Sequence, residues 1–167
     1  MAWTSPRTWV AGESPSASTL NIHVRDQFKA LGDAWTTGTG TWASTGTAPA
    51  IGNGSIGLRY RQIGKNLDVE IRVTMGSTTT FGTGNYSLGG LPVGPLNRQL
   101  LRGDLYDASA NQSYPVWFSV GAGSTSGTIR RLPTTAGNSV PADVAATVPF
   151  TFAQDDLIVL RDSYETA

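Results

Sequence analysis

Between positions 67 and 75 the chain alternates without a break: Leu67, Val69, Ile71, Val73 and Met75 are separated by Asp68, Glu70, Arg72 and Thr74. A period of two places one row of side chains on a buried face and the other in water, so this run predicts a half-buried strand. Ile56, Leu58 and Tyr60 alternate in the same way around Arg59, with Arg61 continuing the polar row, and Gly64-Lys65-Asn66 supplies turn chemistry between the two runs. Together they predict a β-hairpin. Weaker strand patterns recur at 85–88, 100–106, 114–120, 127–132, 145–152 and 157–164, separated by Gly, Pro, Asn and Asp clusters. About eight short strands at such spacing predict a mainly β fold, an antiparallel β-sandwich or jelly roll.

The first third of the chain has a different pattern. Leu20, Val24, Phe28 and Leu31 recur at helical spacing, with Ser16 or Ser18 placed to cap the start and Gly32 to follow the end; this predicts one short α-helix. A helix of about 15 residues with a single apolar stripe is marginal alone and requires a surface to dock on. Ahead of it, Pro6 and Pro15 bound a segment that is held extended and carries Trp3 and Trp9 with no hydrophobic run of its own. Those rings either fold back on the protein's own core or fill pockets on a partner. Arg7 can add a charge-assisted hydrogen bond beside Trp9. The candidate docking residues are therefore Trp3, Arg7, Trp9, Leu20, Val24 and Phe28. Residues 36–51, rich in Thr and Gly and interrupted by Trp42, read as a linker or a loosely paired strand. The expected organisation is an attachment arm and helix over 1–35, a linker over 36–51 and a β-domain over 52–167.

Charge narrows the functional classes. Twelve Lys and Arg balance twelve Asp and Glu, and only 14% of the chain is charged; no basic face for nucleic acid is expected. No apolar run of membrane-spanning length and no leader pattern is read. The chain has no Cys, and its one His, His23, falls on the polar side of the helix and is expected at the surface. A thiolate nucleophile, a Ser-His-Asp triad or a multi-histidine metal site therefore has little to build on, and no catalytic residue, metal or cofactor is expected. Asp155-Asp156 and the pair Asp104 and Asp107 have the composition of calcium ligands or of an acid/base pair, yet acidic residues serve equally in turns. Residues 76–84 lack the Lys of a phosphate loop and read as a long, flexible hairpin loop. Arg102-Gly103-Asp104 falls within a strand pattern and is read as a chance tripeptide. Phe81, Tyr114, Trp117 and Phe118 could stack on sugars, but core or interface packing is the expectation.

Two segments carry a resemblance. Residues 3–13 (WTSPRTWVAGE) continued by 20–27 (LNIHVRDQ) resemble the N-terminal segment of small virion proteins from tailed phages of actinobacteria. Gly52-Asn53-Gly54-Ser55, residues 59–65 (RYRQIGK), residues 76–84 (GSTTTFGTG) and Leu105-Tyr106-Asp107-Ala108 are similar to their companion β-domain. Such segments occur on capsid decoration, head-fibre and minor tail proteins. The resemblance implies a non-enzymatic virion protein made in the host cytoplasm and displayed on the particle exterior. It also implies a homotrimeric β-domain and an N-terminal segment that engages the major capsid protein or another virion protein. The alternative it allows is a tail module for host recognition, whose β-domain binds cell-envelope glycan. Neither reading involves nucleic acid or membrane.

Overall fold

The computed structural model describes residues 7–32, 34–132 and 141–167, and these form a mainly β protein preceded by one continuous helical segment. That segment runs through α1 (Ala17–Leu20), a π-helical turn (Asn21–Arg25) and α2 (Asp26–Gly32). It begins where Ser16 Oγ accepts a hydrogen bond from the Thr19 amide at 3.1 Å, which satisfies one of the free donors of the first turn.

The strands are β1 (Thr36–Gly38), β2 (Thr41–Ser44), β3 (Ser55–Ile63), β4 (Asn66–Thr74), β5 (Tyr86–Gly89), β6 (Gln99–Asp107), β7 (Gln112–Val120), β8 (Ser126–Arg131), β9 (Ala142–Asp143) and β10 (Leu157–Glu165). All pairings are antiparallel, in the order β1-β3-β4-β10-β6-β7-β8-β5-β2, with β9 beside β8. The hairpin of β3 and β4 sets the register of this sheet. Gly64, at φ 60°, occupies the first position of a two-residue turn, so Ile63 faces Asn66, Arg61 faces Asp68 and Arg59 faces Glu70. A glycine with positive φ at that position matches the twist of the flanking strands.

Two corners let the sheet curl around its own core in the manner of a β-sandwich. β1 and β2 stand at opposite ends of the strand order although only Thr39 and Gly40 separate them in the chain. This one stretch pairs with β3 and then crosses to pair with β5. The crossing needs bare backbone: a Cβ on Gly40 would meet Ile56 Cγ2 at 2.7 Å, and one on Gly90 would meet the Thr39 carbonyl oxygen at 2.2 Å. At the other corner β10 and β6 pair only over Leu157–Leu160 and Gly103–Tyr106. Beyond that point Asp162 Oδ2 accepts from the Arg102 amide at 2.9 Å, replacing a ladder bond where the strands part.

The core is the inward row of these strands. Leu67, Val69, Ile71 and Val73 of β4 are fully buried, with Leu58, Leu101, Leu105, Phe118, Ile129, Ile158 and Leu160 packed among them. Trp42, Tyr86, Phe150 and Phe152 form an aromatic cluster at one side, with ring centroids 4.6 to 5.8 Å apart between neighbours.

Several expectations change. The strand read at 145–152 is a turn: Ala145 and Val148 exchange both backbone hydrogen bonds, and Pro149 has no N–H to extend a ladder. Its alternating Phe152, buried, and Phe150, half-buried, are held by ring packing instead. The long hairpin loop at 76–84 is pinned along residues 46–53, with Ala50 and Thr80 exchanging backbone bonds and Asn53 and Thr78 bonding side chain to backbone in both directions. The Thr/Gly stretch read as a linker or loosely paired strand contains β1 and β2, so a fragment meant to fold alone must begin before Thr36. His23 is half-buried, with Nδ1 unpartnered.

Candidate functional site

The sequence-predicted docking residues lie along the N-terminal segment and do not form one pocket. Trp3 lies outside the described residues. The Arg7 guanidinium forms an ion pair with Glu13 and also sits 5.2 Å from the Trp9 ring centroid, so the charge expected to reach a partner is engaged within the arm itself. Gly12, at φ 81°, and a Glu13-to-Val10 backbone bond turn the chain back to make this possible. Trp9 keeps 43% of its surface exposed. Leu20, Val24 and Phe28 fall on one stripe with Leu31, and they remain 43%, 39% and 71% exposed, while Leu31 is 49% exposed. Neither α1 nor the π-helical turn holds a single buried residue. The stripe is thus open in the single chain.

A second site was not read from the sequence. On the outer face of the β3–β4 hairpin each charge stands opposite its counter-ion: Arg59 Nη2 donates to Glu70 Oε2 at 2.8 Å and Arg61 Nη2 to Asp68 Oδ2 at 2.9 Å. Hydrogen bonding to Glu70, and then its charge, raises the Arg59 pKa above the ordinary guanidinium value. β10 adds Arg161 opposite Glu70 and Ser163 opposite Asp68. Trp35 immediately precedes β1, whose Thr37 faces Arg59, and the strand direction carries the indole over the same row. The Arg59 and Arg61 guanidinium carbons lie 5.1 and 6.0 Å from its ring centroid, within cation–π range. Trp35, Arg61, Asp68, Arg161, Asp162 and Ser163 line an open surface cleft of about 400 Å³. The alternation did place Arg59, Arg61, Asp68 and Glu70 on the outer face, and the turn at Gly64 implied their pairing. Trp35 gave no signal, because its neighbours come from strands distant in sequence.

Of the acidic candidates, Asp104 lies within β6 opposite Pro115, and the others serve turns. Asp156, only 1% exposed, accepts the Ala108 amide at 2.9 Å on one oxygen and the Ala153 amide at 2.7 Å on the other. Asp107 accepts from the Ala110 amide and Ser109 Oγ, and these bonds hold its carboxyl below the usual pKa. Among the described residues no group of three or more His, Cys, Asp or Glu is arranged to hold a metal ion. Arg102-Gly103-Asp104 is part of β6. Phe118 is buried, Phe81 packs on Trp42 and Phe152, and Tyr114 packs on Phe150, which leaves Trp117 as a half-buried ring on the outer face of β7. No helix among the described residues is long and apolar enough to cross a membrane.

No protein-family model matches the chain, and no match to it was found among curated proteins or solved structures.

Proposed function

We propose that this chain is a non-enzymatic structural protein of a tailed-phage particle. In this reading it is displayed on the particle surface as a homotrimer, of capsid decoration or head-fibre type, and held through its N-terminal segment. The observation that supports this reading most directly is the open apolar stripe of Leu20, Val24, Phe28 and Leu31 on a helix whose first two turns bury nothing. A short amphipathic helix gains its stability by covering such a stripe, and the exposed ring of Trp9 lies on the same segment. The resemblance of residues 3–13 and 20–27 to virion proteins supplies the partner, a capsid or other virion protein, with symmetry mates as the second surface that the stripe can cover.

Deletion of residues 1–31 retains all ten strands, including β1 and β2. The truncated protein is expected to keep its β-type circular dichroism spectrum and to lose co-sedimentation with particles that lack the protein. Trp9→Ala in the full chain is expected to weaken that binding by about 2 kcal/mol, the scale of an interface hot spot. Full occupancy of particles by the truncated protein would defeat the reading. Light scattering of the full chain tests the trimer directly. Copy number in the virion separates a shell position from the competing tail position, since a shell protein is present in far more copies.

A further inference from the structure

We propose that the fork where β10 and β6 part is a carboxylate-binding site, with Arg102 and Arg161 as the groups that hold the ligand. The inference concerns the β-body alone and stands whether or not the N-terminal segment docks on a particle.

The register sets these groups on one face. Ile158 faces Leu105 and Leu160 faces Gly103, and the three large side chains of these pairs are buried. With a period of two, Val159 and Arg161 of β10 and Arg102 and Asp104 of β6 therefore stand on the outer row. The ladder stops at Leu160 and Gly103, so Arg161 and Arg102 hold the next facing positions, and both are exposed. Like charges directly opposite one another on paired strands repel. Here the strands part, and the two arginines line an open cleft of about 210 Å³ together with Gly103, Asp104 and Val159.

Neither guanidinium is satisfied within the chain. Glu70 Oε2 accepts from Arg59 at 2.8 Å and lies 3.8 Å from Arg161 Nε, beyond hydrogen-bonding distance. Among the described residues the Arg102 guanidinium and the Asp104 carboxylate have no hydrogen-bond or ion-pair partner. A guanidinium presents its donors as a planar fork that matches the two oxygens of a carboxylate, and two facing forks can hold one from both sides. Two arginines against one aspartate leave the lining with a single positive charge. A singly charged carboxylate neutralises it, whereas a divalent sulfate or phosphate meets stronger repulsion from Asp104. The width of the fork is set in advance by the backbone. A Cβ on Gly103 would meet the Val159 carbonyl oxygen at 2.9 Å, so the strands touch there, and just beyond it Asp162 Oδ2 holds the Arg102 amide at 2.9 Å. A frame already in place spares the ligand part of the ordering cost of binding. The cleft is smaller than sites that surround a whole ligand, roughly 300–1,000 Å³. It suits one carboxylate with its adjoining carbon on Val159, carried either by a small acid or by an Asp or Glu side chain of another protein.

The test follows the arginine Nε–H resonances of the isotope-labelled full chain by NMR at constant ionic strength. Acetate, a capped peptide with one glutamate, its glutamine counterpart and sulfate are each raised to tens of millimolar in place of chloride. The Arg102 and Arg161 resonances should move along one saturable curve with acetate or the glutamate peptide and stay still with the glutamine peptide. The tighter of the two carboxylates tells a small acid from a protein side chain as the source. Arg102→Gln and Arg161→Gln should each raise the dissociation constant about tenfold by removing charge-assisted hydrogen bonds, and Arg161→Lys, which keeps the charge without the fork, should raise it less. Asp104→Asn should lower it by removing a like charge beside the ligand. Arg130→Gln, at an outer-face arginine already paired with Asp143, should change nothing. If a Gln variant loses its native circular dichroism spectrum, Arg161→Lys and Asp104→Asn carry the comparison. Absence of a saturable shift with both carboxylates, tighter binding of sulfate, weaker binding in Asp104→Asn, or a loss in Arg130→Gln equal to that in Arg161→Gln would each overturn the proposal.

Discussion

Replacing Gly90 by Ala tests whether the strand crossing at Thr39 and Gly40 is what closes the sheet. Gly90 has φ 96°, and a Cβ there would lie 2.2 Å from the Thr39 carbonyl oxygen and 3.1 Å from Gly40 Cα. The left-handed backbone alone costs an L-residue about 1–2 kcal/mol. Relieving a contact with backbone that cannot rotate away adds an overpacking cost of about 1–3 kcal/mol, and the lower entropy of the unfolded Ala chain returns only about 0.4–1 kcal/mol. The net loss is about 3 kcal/mol, a large share of the roughly 5–15 kcal/mol that holds a typical domain together. For a chain of this length it corresponds to a fall in melting temperature of about 10 °C. Gly123→Ala is the matched control: its φ is 68°, yet a Cβ would meet nothing within 4 Å, so only the backbone term applies and the expected fall is about 3 °C. Thermal and urea unfolding followed by circular dichroism measure both variants. Equal destabilisation would mean that the approach of Gly90 to Thr39 is not a tight point of the fold and that closure rests elsewhere.

Two further outcomes follow from burial. Ile71→Asp puts an uncompensated charge at a fully buried position and should prevent folding, whereas Glu70→Gln, one residue away on the outer face, removes only the attraction of Arg59 and Arg161 and should cost under about 1 kcal/mol by urea unfolding. Burial pushes the phenols of Tyr86 and Tyr164 up to about 12, and their hydroxyls donate to the carbonyls of Phe81 and Val93. A folded-state pKa above the unfolded value of about 10 means that the native state binds more protons between these limits, so stability is complete below pH 10 and declines as pH rises toward 12. Melting temperature should fall across that interval, and the double variant Tyr86→Phe, Tyr164→Phe should flatten the decline; an unchanged alkaline slope would contradict the assignment.

The parts of this protein that were legible in the sequence are those governed by neighbours in the chain. The period-two rows of β3 and β4, the turn at Gly64 that sets their register, the strands at 100–106, 114–120, 127–132 and 157–164, and the helix start at Ser16 all depend on short-range spacing, and the fold bears each of them out within a few residues at the ends; the helix, however, is π-helical over Asn21–Arg25, and Gly32 is its last residue rather than a glycine beyond its end. From the helix pattern came the stripe of Leu20, Val24 and Phe28, and its exposure is a structural fact that the spacing implied but could not establish. The strand read at 145–152 failed because alternation cannot distinguish aromatic rings buried in a ladder from rings buried on a turn.

Amino-acid order alone determined that the chain is mainly β, which rows of β3 and β4 face the core, and that the first third carries an amphipathic helix with too little stripe to stand by itself. Tertiary structure alone decided how the sheet closes. The stretch at Thr36–Ser44 has no periodic signal because its partners, β3 and β5, lie on opposite sides and its glycines are chosen for close approach rather than for alternation. It also decided the Trp35 cleft, whose lining gathers residues from positions 35, 61, 68 and 161–163. A site of that kind exists only once non-local pairing has brought strands from across the chain side by side, and no local pattern records which residues will meet.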